Sequence, residues 1–423
     1  MKAFPQAIYR WYPTTVIRYS VRMLGGLLVC LVFPLFALAQ SKDSVVIEIP
    51  TADFSDQRDV VYYAQQWFPW LHLKNQDSTI MPTGRVFAWI LPSIIYEPHT
   101  RLAAYLGGSI AYRAKQANIS SIYPTLGYTQ NKQLVFHTAS NLWLPNNRFN
   151  VMADWRAMYY PQWTYGLGSY TSQANAILLS YSYIRLYQSL SRAVRPNLYV
   201  GGGYSLDYHW NIQQSDSRGD GVETPEYDLT QSRSVSSGLS MNILYDSRGN
   251  LLNPKAGWFT NVQFRFNLRG LGSDSNYQSL LIDVRKYVRL PAQSANLLAI
   301  WSYNSLTLNG NPPYLDLPST GWDANNNQGR GYIQGRFRSK NLLYAETEYR
   351  FRILRNGLLG GVAFVNTHLV TESVTGQLSR LIPAGGAGLR VKLNKLSNVN
   401  FAADYAVGLD GSRSIYFNIG ELF

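Results

Sequence analysis

Beyond residue 84 the chain is organised by alternation, with apolar and polar side chains trading places at every second position and turn residues separating the runs. The clearest run starts near Asn341. Leu343, Ala345, Thr347, Tyr349, Phe351 and Ile353 fall at one parity, and Tyr344, Glu346, Glu348, Arg350 and Arg352 at the other. Successive strand side chains point to opposite faces, so one face of this run suits lipid and the other suits water. Val235, Leu239, Met241, Ile243 and Tyr245 alternate in the same way with Ser236, Gly238, Ser240, Asn242 and Asp246. Trp258, Val262, Phe264, Phe266 and Leu268 alternate with Asn261, Gln263, Arg265 and Asn267. The pattern predicts sixteen strands, at about 84–97, 100–112, 118–129, 132–144, 147–160, 173–188, 194–210, 231–246, 257–269, 276–290, 295–309, 341–355, 358–370, 383–394, 397–409 and 412–423.

Connection lengths provide an independent check on that count, because an antiparallel barrel with an even number of strands puts alternate connections on opposite sides of a membrane. The long ones, 161–172, 211–230, 310–340 and 371–382, all follow odd-numbered strands. Those after even-numbered strands are mostly tight turns, as at 145–147, 291–293, 355–357 and 395–396, with 247–256 the longest exception. Long loops on one face and short turns on the other match an outer-membrane barrel with both chain ends on the periplasmic side. The final run, with Ile415, Phe417 and Ile419 and then Phe423, reads as a barrel strand closing on a terminal aromatic signal. Sixteen strands enclose a lumen too wide for wall side chains to fill, so something occupies it or it conducts.

Composition sharpens the membrane reading. Only 15% of the 423 residues are charged, while Tyr (31), Trp (11) and Gly (33) are abundant. Apolar residues make up 46%, yet mean hydropathy is −0.17 and no second long apolar run follows the first, which excludes membrane helices beyond the N-terminal region. A chain that faces lipid without such runs does so by alternation, which makes it an all-β, sixteen-stranded antiparallel transmembrane β-barrel over 84–423, in the outer membrane of a Gram-negative bacterium. Lys2, Arg10, Arg18 and Arg22 precede an apolar run over 23–38 ending in Ala37-Leu38-Ala39, the pattern of a signal peptide spanning 1–39. Its removal takes away Cys30, the only cysteine, and with it disulfides, thiol catalysis and cysteine metal sites. Lipidation of Cys30 is disfavoured by Val29, which stands where a small residue is needed. Residues 40–83, with Trp67, Phe68, Trp70 and Leu71, form a short periplasmic segment expected to pack in or under the barrel. The net charge of +13 comes from singly scattered Lys and Arg, which argues against nucleic acid.

Signals of catalysis are weak, and the chain is read as no enzyme, with no cofactor and no metal. Gly107-Gly108-Ser109-Ile110-Ala111 approaches a nucleophile elbow but lacks its last Gly and lies within a strand. A lipase pairing of His137 with Ser140 fails because residues three apart on a strand face opposite ways. His72, His99, His137, His209 and His368 show no metal-ligand spacing and read as aromatic-belt or loop residues. The stretch 329–338 carries Gly329, Gly331 and Gly335, but no Gly-Lys-Ser/Thr follows to make a phosphate loop.

That stretch reads instead as a structural device. Its glycines allow sharp turns and close approach, and Arg330, with Tyr332 and Arg336 beside it, can reach carboxylates in the lumen. Glu348, and Glu346 on the same strand face, are the candidate partners that would pin the long loop inside the barrel.

Arg330-Gly331-Tyr332, in the long loop between the eleventh and twelfth strands, resembles the Arg-Gly-Phe/Tyr loop motif of the BamA/TamA superfamily of outer-membrane assembly factors, the bacterial surface antigen barrels. Tyr245-Asp246-Ser247-Arg248-Gly249, followed by Asn253-Pro254-Lys255-Ala256-Gly257-Trp258, is similar to the family's Asp-Thr-Arg and Pro-x-x-Gly hairpin, and Pro92 and the residues to Tyr96 resemble its first hairpin. The resemblance implies a sixteen-stranded barrel whose loop Arg meets acidic residues of neighbouring strands. Arg330 would be that Arg and Glu348 one partner, while an Asp expected on the next strand is replaced by Asn366, which can offer at best a neutral hydrogen bond. The 44 residues before the barrel are too few for the usual POTRA repeat. The function implied is insertion, assembly or export of outer-membrane or surface components, with unfolded proteins and outer-membrane lipids as partners and a seam between first and last strands, near Gly420, that can open. The alternative left by the residues alone is a passive pore or structural barrel.

Overall fold

Alternating β-branched and aromatic residues, interrupted by Gly, Asn and Pro at the turns, fold into one antiparallel sheet of seventeen strands. The computed structural model describes residues 57–67, 83–84, 86–97, 99–222, 224, 227–248, 253–292, 294–324, 326–372, 375–378, 380–395 and 399–423. The signal peptide expected over 1–39, with Cys30, and His72, Phe68, Trp70, Leu71 and most of 40–83 lie outside the described residues.

The strands are β1 (Val86–Glu97), β2 (Arg101–Arg113), β3 (Ile119–Thr129), β4 (Leu134–Trp143), β5 (Phe149–Tyr159), β6 (Gln162–Thr164), β7 (Ala176–Arg195), β8 (Leu198–Arg218), β9 (Arg233–Asp246), β10 (Gly257–Asn267), β11 (Tyr277–Arg289), β12 (Leu297–Gly310), β13 (Asn341–Arg352), β14 (Leu359–Val370), β15 (Ile382–Asn394), β16 (Val399–Gly408) and β17 (Arg413–Ile419). Each of the sixteen long strands pairs with its neighbours in the chain, as β12 does with β13 and β15 with β16. The sheet curls round until Cα atoms of β1 and β17 come within 8 Å of each other.

All sixteen predicted runs correspond to long strands. The seventeenth, β6, lies in the predicted connection 161–172 and pairs with the outer part of β7. β7 and β8 run further than predicted, because their turn falls at 196–197, where Asn197 takes a positive φ of +63°. β17 is shorter than predicted and ends at Ile419.

The pleat follows the predicted register. On β13, Leu342, Tyr344, Glu346, Glu348 and Arg350 are buried toward the lumen while Ala345 is exposed. On β9, Leu239, Met241 and Ile243 face outward and Ser240, Asn242 and Leu244 inward. The long connections gather at one rim, where Gly168 N donates to Arg338 O (2.9 Å) and Ser169 N to Glu372 Oε1 (2.9 Å). At the other rim Asp59 caps helix α1 (Val60–Trp67) through a bond from Tyr62 N to Oδ1 (2.7 Å). Its Oδ2 accepts from Lys395 N (2.8 Å) in a short turn, and Arg58 N donates to Asn356 O (2.9 Å) in another.

Candidate functional site

Residues 311–340 fold back into the lumen instead of standing out from the rim. Three bonds close them into a loop of their own: Ser339 N to Pro318 O (3.0 Å), Thr320 N to Phe337 O (2.9 Å) and Gly335 N to Thr320 O (2.9 Å). Gly331 makes the insertion possible. Its φ is +104°, and a Cβ there would sit 2.7 Å from the Cβ of Ala384, so only glycine lets the loop lie this close to β15.

The insertion places Arg330, fully buried, among carboxylates of two strands. Its Nη2 donates to Glu348 Oε2 (2.5 Å) and to Glu346 Oε1, its Nη1 to Asp404 Oδ2 (2.7 Å) and its Nε to Glu346 Oε2 (3.4 Å). The guanidinium carbon lies 3.5 Å from the ring centroid of Phe364. Around this centre Arg350 Nε bonds Glu348 Oε1 (2.5 Å), Arg390 Nη1 bonds Asp404 Oδ1 (2.5 Å) and Arg390 Nε bonds Glu421 Oε2 (2.8 Å). Tyr344 donates to Glu346, and Asn400 Nδ2 to Glu421 Oε1 (2.6 Å). Every carboxylate oxygen of Glu346, Glu348, Asp404 and Glu421 therefore accepts at least one bond. Desolvating so many charges costs about as much as their attraction returns, so the network contributes specificity of arrangement more than net stability.

Asp404 and Glu421 were absent from the sequence reading, although Asp404 shares its inward parity on β16 with Asn400, Ala402 and Ala406. The second acidic partner thus comes from β16, not from the strand after β13. Asn366 Nδ2 instead donates to the backbone O of Arg330 (2.9 Å), holding the loop's main chain and leaving the guanidinium to the acids. Tyr332 is buried, and its hydroxyl donates to Pro383 O (2.5 Å) and accepts from Leu409 N (3.0 Å). Arg336 leaves this network and reaches Thr171, with Nη1 to Oγ1 and Nη2 to the backbone O, both 2.6 Å. Gly335 turns the chain at φ +79°, beside Gln162 of β6.

Phe423, expected as the terminal aromatic signal of the last strand, lies beyond the end of β17. Gly420, at φ +99°, turns the chain out of the sheet after Ile419. Phe423 is buried in the lumen, stacked on Trp301 at 5.1 Å, and its backbone O accepts from Arg350 Nη2 (2.9 Å).

The histidines also depart from expectation, for His137, His209 and His368 all sit on the lumen face. His137 Nε2 lies 3.1 Å from Asp154 Oδ1, the His209 ring stacks on Tyr183 at 4.2 Å, and His368 is fully buried beside Tyr344. Among the described residues no group of His, Cys, Asp and Glu could hold a metal. A second charged cluster lines the wall from β5 to β10. Arg156 binds Asp154 through Nε and Nη2, both 2.9 Å, and Asp207 accepts from Tyr183 (2.5 Å), Tyr187 (2.5 Å), Arg185 (3.2 Å) and Arg265 (2.7 Å). Only alternation hinted at it. Asp246 and Arg248 of the predicted hairpin pair through Oδ2 and Nη2 (2.8 Å).

These features define an outer-membrane-type β-barrel whose lumen holds a loop anchored by a buried arginine. The Omp85 superfamily domain matches residues 105–423, and the chain belongs to that superfamily, among the outer-membrane barrels of assembly and transport. Three solved structures share the fold. BamA from Haemophilus ducreyi lacking POTRA domains 1–3 is 14% identical with a TM-score of 0.53, over 80% of this chain and 71% of that one. CdiB from Acinetobacter baumannii is 13% identical with a TM-score of 0.51, over 80% and 60%. CdiB from Escherichia coli is 11% identical with a TM-score of 0.54, over 80% and 63%. The chain thus spans less than two thirds of either CdiB structure. No curated protein matches the chain. The resemblance to the BamA/TamA superfamily is borne out at this level.

Proposed function

We propose that this barrel acts in insertion, assembly or export of outer-membrane or surface components, with unfolded polypeptide and outer-membrane lipid as partners and without covalent catalysis. The observation that carries this reading is the buried Arg330, which fastens a loop of the long-loop rim to β13 and β16 deep in the lumen. A wall that merely separates two compartments has no need of such a fastening. The edge strands give further support. β17 has seven residues against twelve in β1, and the chain leaves the sheet at Gly420, so part of β1 has no counterpart of equal length. Backbone groups left without a partner at a strand edge are templates for new pairing.

Depletion of the protein followed by a census of outer-membrane proteins and lipids tests the reading, and selective loss of a set of surface components is the expected result. Deleting residues 311–340 is expected to lower folded barrel yield, read as heat-modifiable gel mobility, and to reproduce that loss. An unchanged census in both strains would leave the passive pore, which the polar lumen favours. A pore is expected to show steady conductance in planar bilayers even with β1 and β17 crosslinked.

A further inference from the structure

The short-turn rim carries four exposed cations on three neighbouring turns. Lys115 lies in the turn after β2, Arg148 in the turn after β4, and Arg192 and Arg195 on β7 as it approaches the turn at 196–197. Backbone bonds between the turns bring them together. Asn146 N donates to Lys115 O (2.9 Å) and Ala193 N to Arg148 O (2.9 Å), while Phe149 is the register partner of Arg192. None of the four has a carboxylate partner among the described residues. The acids nearest in the chain and in space are engaged elsewhere. Asp154, the only acid in residues 101–200, is held in the lumen by Arg156 and Arg185. Asp246 lies beside the last of these turns, its backbone N donating to Asn197 O (3.0 Å), but its side chain is buried and bound by Nε and Nη2 of Arg248 (2.9 and 2.8 Å).

The surroundings of Arg192 indicate which anion meets this group. Arg192 stands on the outward parity of β7 between Leu190 and Val194, which are 52% and 55% exposed, while Ser191 is buried on the lumen side. Across the sheet it pairs with Phe149 of β5 and Val200 of β8, both on the outer face. A cation on the lipid face is costly at the membrane midplane and nearly free at headgroup level. Arg192 is level with the first residue of β5, so it sits where the apolar belt gives way to headgroups. Basic residues grouped at that level attract anionic lipid, because a zwitterionic headgroup brings its phosphate already paired with an ammonium. An acidic protein approaching from the water would meet the turn cations but would leave Arg192 among its apolar neighbours unexplained. From this arrangement we propose that Lys115, Arg148, Arg192 and Arg195 bind the headgroup of an anionic phospholipid in the leaflet on the short-turn side, with its acyl chains along the outer face of β5, β7 and β8. This names a lipid class for the outer-membrane lipid partner proposed above, and rests on that reading.

Lipid binding by the whole folded chain in an uncharged detergent tests the site. The probe is pyrene-labelled phosphatidylglycerol, read by energy transfer from the tryptophans, and pyrene-labelled phosphatidylcholine is the zwitterionic control. Phosphatidylglycerol is expected to bind about tenfold tighter than phosphatidylcholine, and the difference is expected to shrink as salt rises. K115Q, R148Q, R192Q and R195Q are each expected to lower that preference about threefold, and the four together to abolish it. Lys132→Gln, which alters an exposed cation at the opposite rim, is expected to leave it unchanged. Heat-modifiable mobility confirms folding, and the single variants decide the matter where the fourfold variant does not fold. Equal binding of the two lipids by the wild-type chain would overturn the site, as would a preference that every single variant retains in full. Binding of labelled poly-glutamate without any preference between the lipids would also overturn it and assign the rim to an acidic protein. None of these results bears on the depletion census, and an unchanged census leaves a measured lipid preference standing, so this site and the assembly function fail separately.

Discussion

The inserted loop has two unlike flanks. Toward β13 and β16, Arg330 bonds through all three guanidinium nitrogens, and every carboxylate oxygen around it has a donor. Toward β7 to β12 the match is looser. The loop and that wall leave a cavity of about 130 Å³ between Arg265, Thr307, Asp316 and Gln328. The Nε of Arg265 and the Nε2 of Gln328 find no hydrogen-bond partner among the described residues. Asp316, in the loop, has its carboxyl pushed up to about 7 by burial and then by the nearby charge of Asp207. One flank is held by a charge network, whereas the other carries the cavity and is held by single contacts such as Ser236 Oγ to Asp316 Oδ2 (2.5 Å).

The largest expected effect comes from breaking the locked flank. Arg330→Ala strips Glu346, Glu348 and Asp404 of their shared cation, and a buried pair broken on one side costs about 3–5 kcal/mol. Urea unfolding in detergent, with protease access to the loop as a second readout, measures it. An unchanged midpoint and an unchanged cleavage pattern would mean that the loop is held by something other than this clamp. Gly331→Ala acts on the same flank without touching charge. It forces a side chain into a left-handed backbone and against Ala384, an expected loss of about 1–3 kcal/mol in the same unfolding experiment. Equal stability of this variant and wild type would show that β15 can move aside.

The smallest effect concerns the looser flank and is a slope. Asp316 has a folded value near 7 against an ordinary 3.8, so between those pH values the folded chain holds a proton that the unfolded chain has released. Stability contributed by this group therefore falls as pH rises through that window, by up to about 1.4 kcal/mol per pH unit, and is flat above it. Asp316→Asn removes this slope, and unfolding midpoints taken from pH 5 to pH 8 show it. Identical slopes in the two proteins would mean that Asp316 is solvated and that this flank is as well matched as the other.

The fold was legible because lipid on one side and water on the other impose a two-residue period on every strand, and Glu346 and Glu348 could be placed on the lumen face by parity alone. The loop motif was legible in its glycines and in Arg330. Asp404 was harder to find, because it lies 74 residues from Arg330 and only the curl of the sheet brings β16 opposite the loop. Asn366 makes the neutral hydrogen bond expected of it, but neither its acceptor nor the place of Phe423 was legible, for a related reason. A polar residue on the right strand says nothing of whether it will meet a guanidinium or a backbone carbonyl. An aromatic residue after an alternating run says nothing of a turn at Gly420 that carries it inward.

By itself, then, the sequence determined strand number, register, the side of the long loops and the glycines that let one of them bend. These are local properties, set by alternation and by which residues tolerate a turn. Which carboxylates meet Arg330 and where Phe423 packs were decided only by tertiary structure. Those contacts join strands distant in the chain, and their partners follow from how far each strand is staggered around the barrel, a quantity that no single stretch of sequence carries.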